Sequence, residues 1–105
     1  TVTTAESCTG GLLAGTLVGV PGVSGVFREG FVTYSNKAKR KLLDVSKSTL
    51  KKYGAVSAQT AKEMAKGGVF ATDADICVAI TGWQVPTGRR RRSHRSGLHC
   101  LLYER

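Results

Sequence analysis

The feature that most constrains this chain is an abrupt change of character in its first twenty residues. A β-prone run from Thr1 to Ala5 gives way to Glu6-Ser7-Cys8-Thr9-Gly10-Gly11, and an apolar segment follows from Leu12 to Val20. The pattern is a strand–turn–helix with Ser7, Cys8 and Thr9 at the turn. In α/β folds such a turn lies at the carboxyl end of a strand, where sites collect. The free N–H groups and positive dipole end of the next helix can hold an anion or a developing oxyanion there.

The rest of the chain keeps alternating. Leu12, Leu13, Thr16, Leu17 and Val20 fall near one face of a helix over Gly11–Val20, and Pro21-Gly22 stops it. Val26 to Tyr34 reads as a strand, with Gly30 inside it marking a bulge or a close approach. Ser35-Asn36 offers a cap for a short basic helix from Lys37 to Leu43, with Leu42 and Leu43 turned inward. Ser46 or Ser48 caps a brief helix that ends at Gly54. Ser57 caps the clearest helix, where Ala58, Ala61, Met64, Ala65 and Gly68 recur at helical spacing and Lys62, Glu63 and Lys66 face water. Asp75 to Thr81 is a near-continuous apolar run, the mark of a strand covered on both faces. Strands alternating with helices predict a three-layer α/β/α domain.

Charge and cysteine usage narrow the class. The 105 residues carry a net charge of +9. Residues 1–82 hold ten Lys/Arg against six Asp/Glu, a net of +4, and residues 83–105 hold six against one, a net of +5. The basicity therefore belongs mainly to the tail, and a non-specific, salt-sensitive attraction of Arg89–Arg95 for nucleic acid ranks last among the functions. Cys8, Cys77 and Cys100 leave one thiol over in any disulfide scheme and have no CxxC spacing, which favours a reduced, cytoplasmic protein without a zinc site. No apolar run is long enough to span a bilayer. The chain starts on a strand without methionine and reads as a fragment.

Ser7 is the leading nucleophile, since it joins a strand end to a helix start. Both histidines, His94 and His99, lie in the tail, so lysine is the better base. Lys37 and Lys39 open the helix after the second strand, which an α/β sheet can set beside the end of the first, and partial burial neutralises a lysine. Tyr34 ends the same strand and can relay a proton. Residue by residue the plainer readings dominate: a serine at such a turn is more often a cap, lysines are more often solvated, and a cysteine there is more often a small packing group.

The combination says more. Thr4-Ala5-Glu6-Ser7-Cys8-Thr9-Gly10-Gly11, Gly30-Phe31-Val32-Thr33-Tyr34-Ser35-Asn36 with Lys39 beyond, Gly54-Ala55-Val56-Ser57, and Val78-Ala79-Ile80-Thr81-Gly82 occur in this order. Together they closely resemble the CinA C-terminal domain family, the nicotinamide-nucleotide amidohydrolases, over residues 1–82. The resemblance implies an α/β/α domain, here incomplete at both ends, and deamidation of nicotinamide mononucleotide to nicotinic acid mononucleotide and ammonia. It also implies a homo-oligomer and no metal or other cofactor. Carried over by motif position, Ser7 is the nucleophile and Lys39 its base. Tyr34 assists, Thr81 shapes the amide site, and Cys8, Thr9, Gly10, Gly11 and Asn36 line the substrate. The alternative is a non-catalytic nucleotide-binding or regulatory module of a competence/damage-inducible protein.

After Gly82 the likeness stops. Trp83-Gln84-Val85-Pro86-Thr87 stands where the family has a Leu-Ala-Gly-Pro-Asp-like stretch, and a one-base shift of codons for the latter yields the former. Residues 83–105 are thus expected to be a non-family tail, disordered or read out of frame. The loss of an arginine that reaches the substrate phosphate, and of a strand beside Asp75–Thr81, would leave activity impaired. Sequencing the encoding DNA tests the frame.

Overall fold

Strand β1 (Val2–Glu6) sits inside a four-stranded sheet of order β2-β1-β3-β4, with β2 at Phe27–Val32, β3 at Ile76–Gly82 and β4 at Leu98–Glu104. The computed structural model describes residues 1–83 and 97–105. β1 pairs in parallel with both β2 and β3, and β4 runs antiparallel to β3. Parallel neighbours need crossovers. α1 (Leu12–Leu17) lies in the first, and α2 (Asn36–Leu43), α3 (Lys47–Tyr53) and α4 (Ala58–Thr72) lie in the second. This is the α/β alternation read from the sequence.

Three of the helices begin as their hydroxyl residues predict. Ser35, Ser46 and Ser57 accept the N–H groups of Ala38, Thr49 and Thr60 at 3.0, 3.1 and 3.1 Å. The cap of α3 is therefore Ser46 rather than Ser48, each such cap contributing about 1 kcal/mol. Glu63 is more than a wet surface residue, since it accepts the Ser46 N–H at 2.8 Å and so ties α3 to α4.

The core lies between α4 and one face of the sheet. Met64, Ala65 and Val69 pack on Ala5, Cys77 and Ala79, and Leu43 and Val45 close one side. Ala61 is buried as expected, whereas Ala58 is exposed. Burial pushes the Cys77 thiol up to about 12, so it serves as an inert packing group. Gly30 is a close approach, as its place in the strand suggested: a Cβ there would lie 2.4 Å from Thr4 Oγ1, and the β1–β2 register shifts between Val2 and Thr4.

Side-chain alternation along β1 assigns the layers. Ala5 points to α4, so Glu6 points the other way, and its carboxylate meets the start of α1. Helices thus flank both faces, but unequally. α1 has six residues and buries none of them, where the sequence predicted a helix to Val20 with an inward apolar face. Leu12 is 70% exposed and Val20 55%. Leu42 likewise stays largely in solvent, while Leu43 is buried.

The thin α1 layer changes the reading of β3. Cys77, Ala79 and Thr81 are buried on the α4 side, while Ile76, Val78 and Ile80 are half-buried on the other. The strand is therefore fully covered on one face and half-covered on the other. It does keep a second neighbour. Of residues 83–105, expected to be a tail either disordered or read out of frame, Leu98–Glu104 form β4, which pairs with β3 from Ile76↔Glu104 to Gly82↔Leu98. Its residues run Leu-His-Cys-Leu-Leu-Tyr-Glu, apolar in both phases, so no clean period of two marks the strand. The arginine run Arg89–Arg95 lies outside the described residues. Among the described residues no helix is long and apolar enough to cross a membrane.

Candidate active site

The carboxyl end of β1 is where the sheet gathers its polar groups. Ser7, the first residue past β1, is held by its N–H to Ile80 O at 3.0 Å. One turn into α2, Lys39 is buried at 1% exposure, while Lys37, Arg40 and Lys41 remain in water. Its helix position explains the difference. Lys39 and Leu43 are one i, i+4 pair, and they form the inward stripe of α2.

Lys39 Nζ donates to Ser7 Oγ at 3.1 Å and to Thr33 O at 2.8 Å. Burial pulls the amine below its usual 10.5, and the neighbouring Cys8 sulfur pulls in the other direction. No carboxylate pairs with this lysine in the described residues. A desolvated lysine in hydrogen-bond contact with a strand-end serine can take that serine's proton once it is neutral. Thr33 O accepts a second N–H of the amine and so holds it within reach of Ser7 Oγ.

The turn itself departs from the expected anion pocket. Glu6 is fully buried, and its carboxylate accepts Thr9 Oγ1 at 2.7 Å, Leu13 N at 2.9 Å and Ala14 N at 3.0 Å. Burial pushes this carboxyl up, but the N–H groups of Ala14, Leu13 and Gly11 and the Thr9 hydroxyl outweigh it and hold the pKa below 4.5. Gly10 N is bonded to Ser7 O at 3.0 Å and Leu12 N to Thr9 O at 3.0 Å. The start of α1 is thus filled from inside the chain. Gly10 and Gly11 form the turn at positive φ, 60° and 102°, instead of offering their N–H groups to a ligand.

The other candidates separate. Cys8 is buried beside the Ser7–Lys39 pair. Thr81 is buried next to the carboxyl end of β3, and its hydroxyl donates to Ala55 O at 2.8 Å, pinning the loop before α4. Tyr34 is 72% exposed and is not among the hydrogen-bond partners of Ser7 or Lys39. Asn36 is exposed at the start of α2, where Ser35 provides the cap. A cleft of about 420 Å³ opens between α2 and α4 beside Leu42, Asp44, Lys66 and Phe70, away from Ser7. Sequence reasoning missed Glu6 and Thr33. An acidic residue at the end of a buried strand, five before a glycine N-cap, was the signal for the first. The second acts through its backbone carbonyl, which leaves no mark in a side-chain pattern.

The CinA C-terminal domain model matches residues 1–103. The chain belongs to the CinA C-terminal domain family. The match runs past Gly82 and takes in most of β4. The chain is 60% identical over 88 residues to a putative competence-damage inducible protein of Clostridium novyi, covering 84% of this chain and 21% of that protein. It is 53% identical over 87 residues to a CinA-like protein of Petrotoga mobilis, covering 83% and 22%. The CinA superfamily protein from Escherichia coli superposes with a TM-score of 0.80 at 38% identity, over 98% of this chain and 66% of that one. The competence/damage inducible protein CihA from Agrobacterium tumefaciens gives 0.80 at 42% identity, over 98% and 68%. The chain spans about a fifth of the length of these curated relatives.

Proposed function

We propose that this CinA domain carries a serine–lysine amidase centre whose substrate is nicotinamide mononucleotide. The observation that carries the proposal is the buried 3.1 Å contact between Lys39 Nζ and Ser7 Oγ. Neutral Lys39 takes the Ser7 hydroxyl proton as Oγ attacks the carboxamide carbon. The carbonyl π pair moves to oxygen, and the oxyanion sits against the Thr9 amide at the turn. Lys39 passes the proton to the leaving nitrogen, the C–N bond breaks, and ammonia departs. Water, deprotonated by Lys39, then attacks the acyl carbon, the C–Oγ bond breaks, Lys39 returns the proton to Ser7 Oγ, and nicotinic acid mononucleotide leaves. Tyr34 and Asn36 would meet substrate only from the rim, and Thr81 acts by holding the Ala55 loop.

Ammonia release from nicotinamide mononucleotide, with Ser7→Ala and Lys39→Met as controls, tests this. Turnover that both substitutions abolish supports it, and turnover that survives either overturns it. The names of the relatives, competence-damage inducible and CinA-like, favour a second reading as a nucleotide-binding regulatory module. Nucleotide binding without ammonia release would select that reading. The family resemblance also carries the proposal of a homo-oligomer in the cytoplasm, which light scattering tests for the oligomer.

A further inference from the structure

We infer that Glu6 is a positioning residue that holds the Ser7 nucleophile and the Lys39 anchor in one frame, and that the start of α1 is thereby closed to substrate anions. This rests on the Ser7–Lys39 reading above.

The argument begins with the cap. α1 starts at Gly11 with φ 102°, has no side-chain cap of its own and no acidic residue in its first turn. A carboxylate from the preceding strand does the work instead. With one oxygen on Leu13 N and Thr9 Oγ1 and the other on Ala14 N, Glu6 closes the chain from residue 6 to residue 14 into a ring. Ser7 and Cys8 are inside that ring. A charged acceptor on several N–H groups is worth roughly twice a neutral one, so the ring is stiff.

The main chain of Glu6 is clamped as well. Its carbonyl accepts Thr33 N at 2.7 Å and Thr33 Oγ1 at 3.3 Å. Thr33 is the residue whose own carbonyl holds Lys39 Nζ. One residue therefore bonds covalently to the nucleophile, fixes its turn through the side chain, and fixes the base's anchor through the backbone. Ser7 N on Ile80 O supplies the third support. A displacement of about 1 Å between reacting groups costs on the order of a hundredfold in rate, so this frame sets the reactivity of Ser7. The same bonds consume the α1 N–H groups and its dipole, so the substrate's phosphate is held away from this helix start.

The test measures Ser7 itself. The rate of covalent capture of a small fluorophosphonate at Ser7 is followed by peptide mass spectrometry, beside kcat and KM for nicotinamide mononucleotide. Glu6→Gln keeps the shape but turns an N–H₂ toward the α1 donors. At a temperature where circular dichroism shows the variant folded, labelling and kcat should fall about ten- to a hundredfold, with KM within about threefold. Thr9→Val removes one donor and spares the carboxylate, so a severalfold loss with unchanged KM is expected. A lower melting temperature with parental labelling would reduce Glu6 to a helix cap and overturn the inference. If Glu6→Gln does not fold, Thr9→Val decides, and a parental rate there overturns it. Labelling of the parent chain without ammonia release defeats the substrate reading and leaves the Glu6 inference to the labelling rates. A parent chain that takes no phosphonate at Ser7 overturns both.

Discussion

Two charged side chains are buried to almost the same extent on either side of Ser7, and the fold treats them in opposite ways. Lys39 is 1% exposed and meets a serine oxygen and one carbonyl. Glu6 is 0% exposed and meets donors from Thr9, Gly11, Leu13 and Ala14. The first is pulled toward neutrality and the second is kept ionised. Burial alone thus does not decide a group's charge; the number and sign of its partners does. A reactive base needs the poorer shell, and a structural anchor needs the richer one.

The sharpest way to break this contrast is to remove the reactive side. Ser7→Ala or Lys39→Met should lower deamidation by about 10²–10⁴, the usual contribution of a positioned base and its nucleophile. Lys39→Arg should not restore it, because a guanidinium stays protonated. Initial-rate assays across the series measure this, and an active Lys39→Arg chain would show that a neutral amine is not required.

The pH profile is the next largest effect. The rate should climb about tenfold per pH unit while Lys39 is mostly protonated and level off below the usual 10.5. Stability carries the same sign. The unfolded chain binds the Lys39 proton more tightly than the folded one, so the parent gains on Lys39→Met as pH rises through that window. Glu6 runs in the mirror sense. Its stabilisation is present above 4.5 and is lost as pH falls through the lower folded value, a loss that Glu6→Gln should not show. Thermal melts at stepped pH read both.

At neutral pH Glu6→Gln should cost about 1–3 kcal/mol, the penalty for buried donors left without their acceptor. Lys39→Met should cost less, since it also removes a desolvated charge. Equal losses in urea unfolding would show that burial by itself sets the cost. The smallest effect belongs to Tyr34→Phe. Its ring is 72% exposed, so kcat should stay within about twofold and stability within ±0.5 kcal/mol. A large fall in kcat would return the tyrosine to the proton path.

Much of this was legible in the chain. Ser35 and Ser57 announced their helices, Gly54 the end of α3, and Gly30 a close approach, because caps, turns and glycines act over a few residues. Ser7 was marked by its place between a β-prone run and a helix. β4 was not legible. Its seven residues bond to β3 across at least fifteen positions of chain, and no local pattern announces a partner. The half-open face of β3 was misread for the same reason, since an apolar run reports what a strand wants covered and not what covers it.

The sequence by itself determined the α/β alternation, the caps at Ser35 and Ser57 and the strand–turn–helix that carries Ser7, all short-range consequences of residue type. Residue type alone left Lys37 and Lys39 open and only the family resemblance favoured Lys39; the tertiary structure buries Lys39 against Ser7, leaves Lys37 and Lys41 in water, and spends the α1 dipole on Glu6. Those outcomes depend on which faces of separate elements meet. That is settled by packing and by the desolvation that packing imposes, and neither is written in any single stretch of the chain.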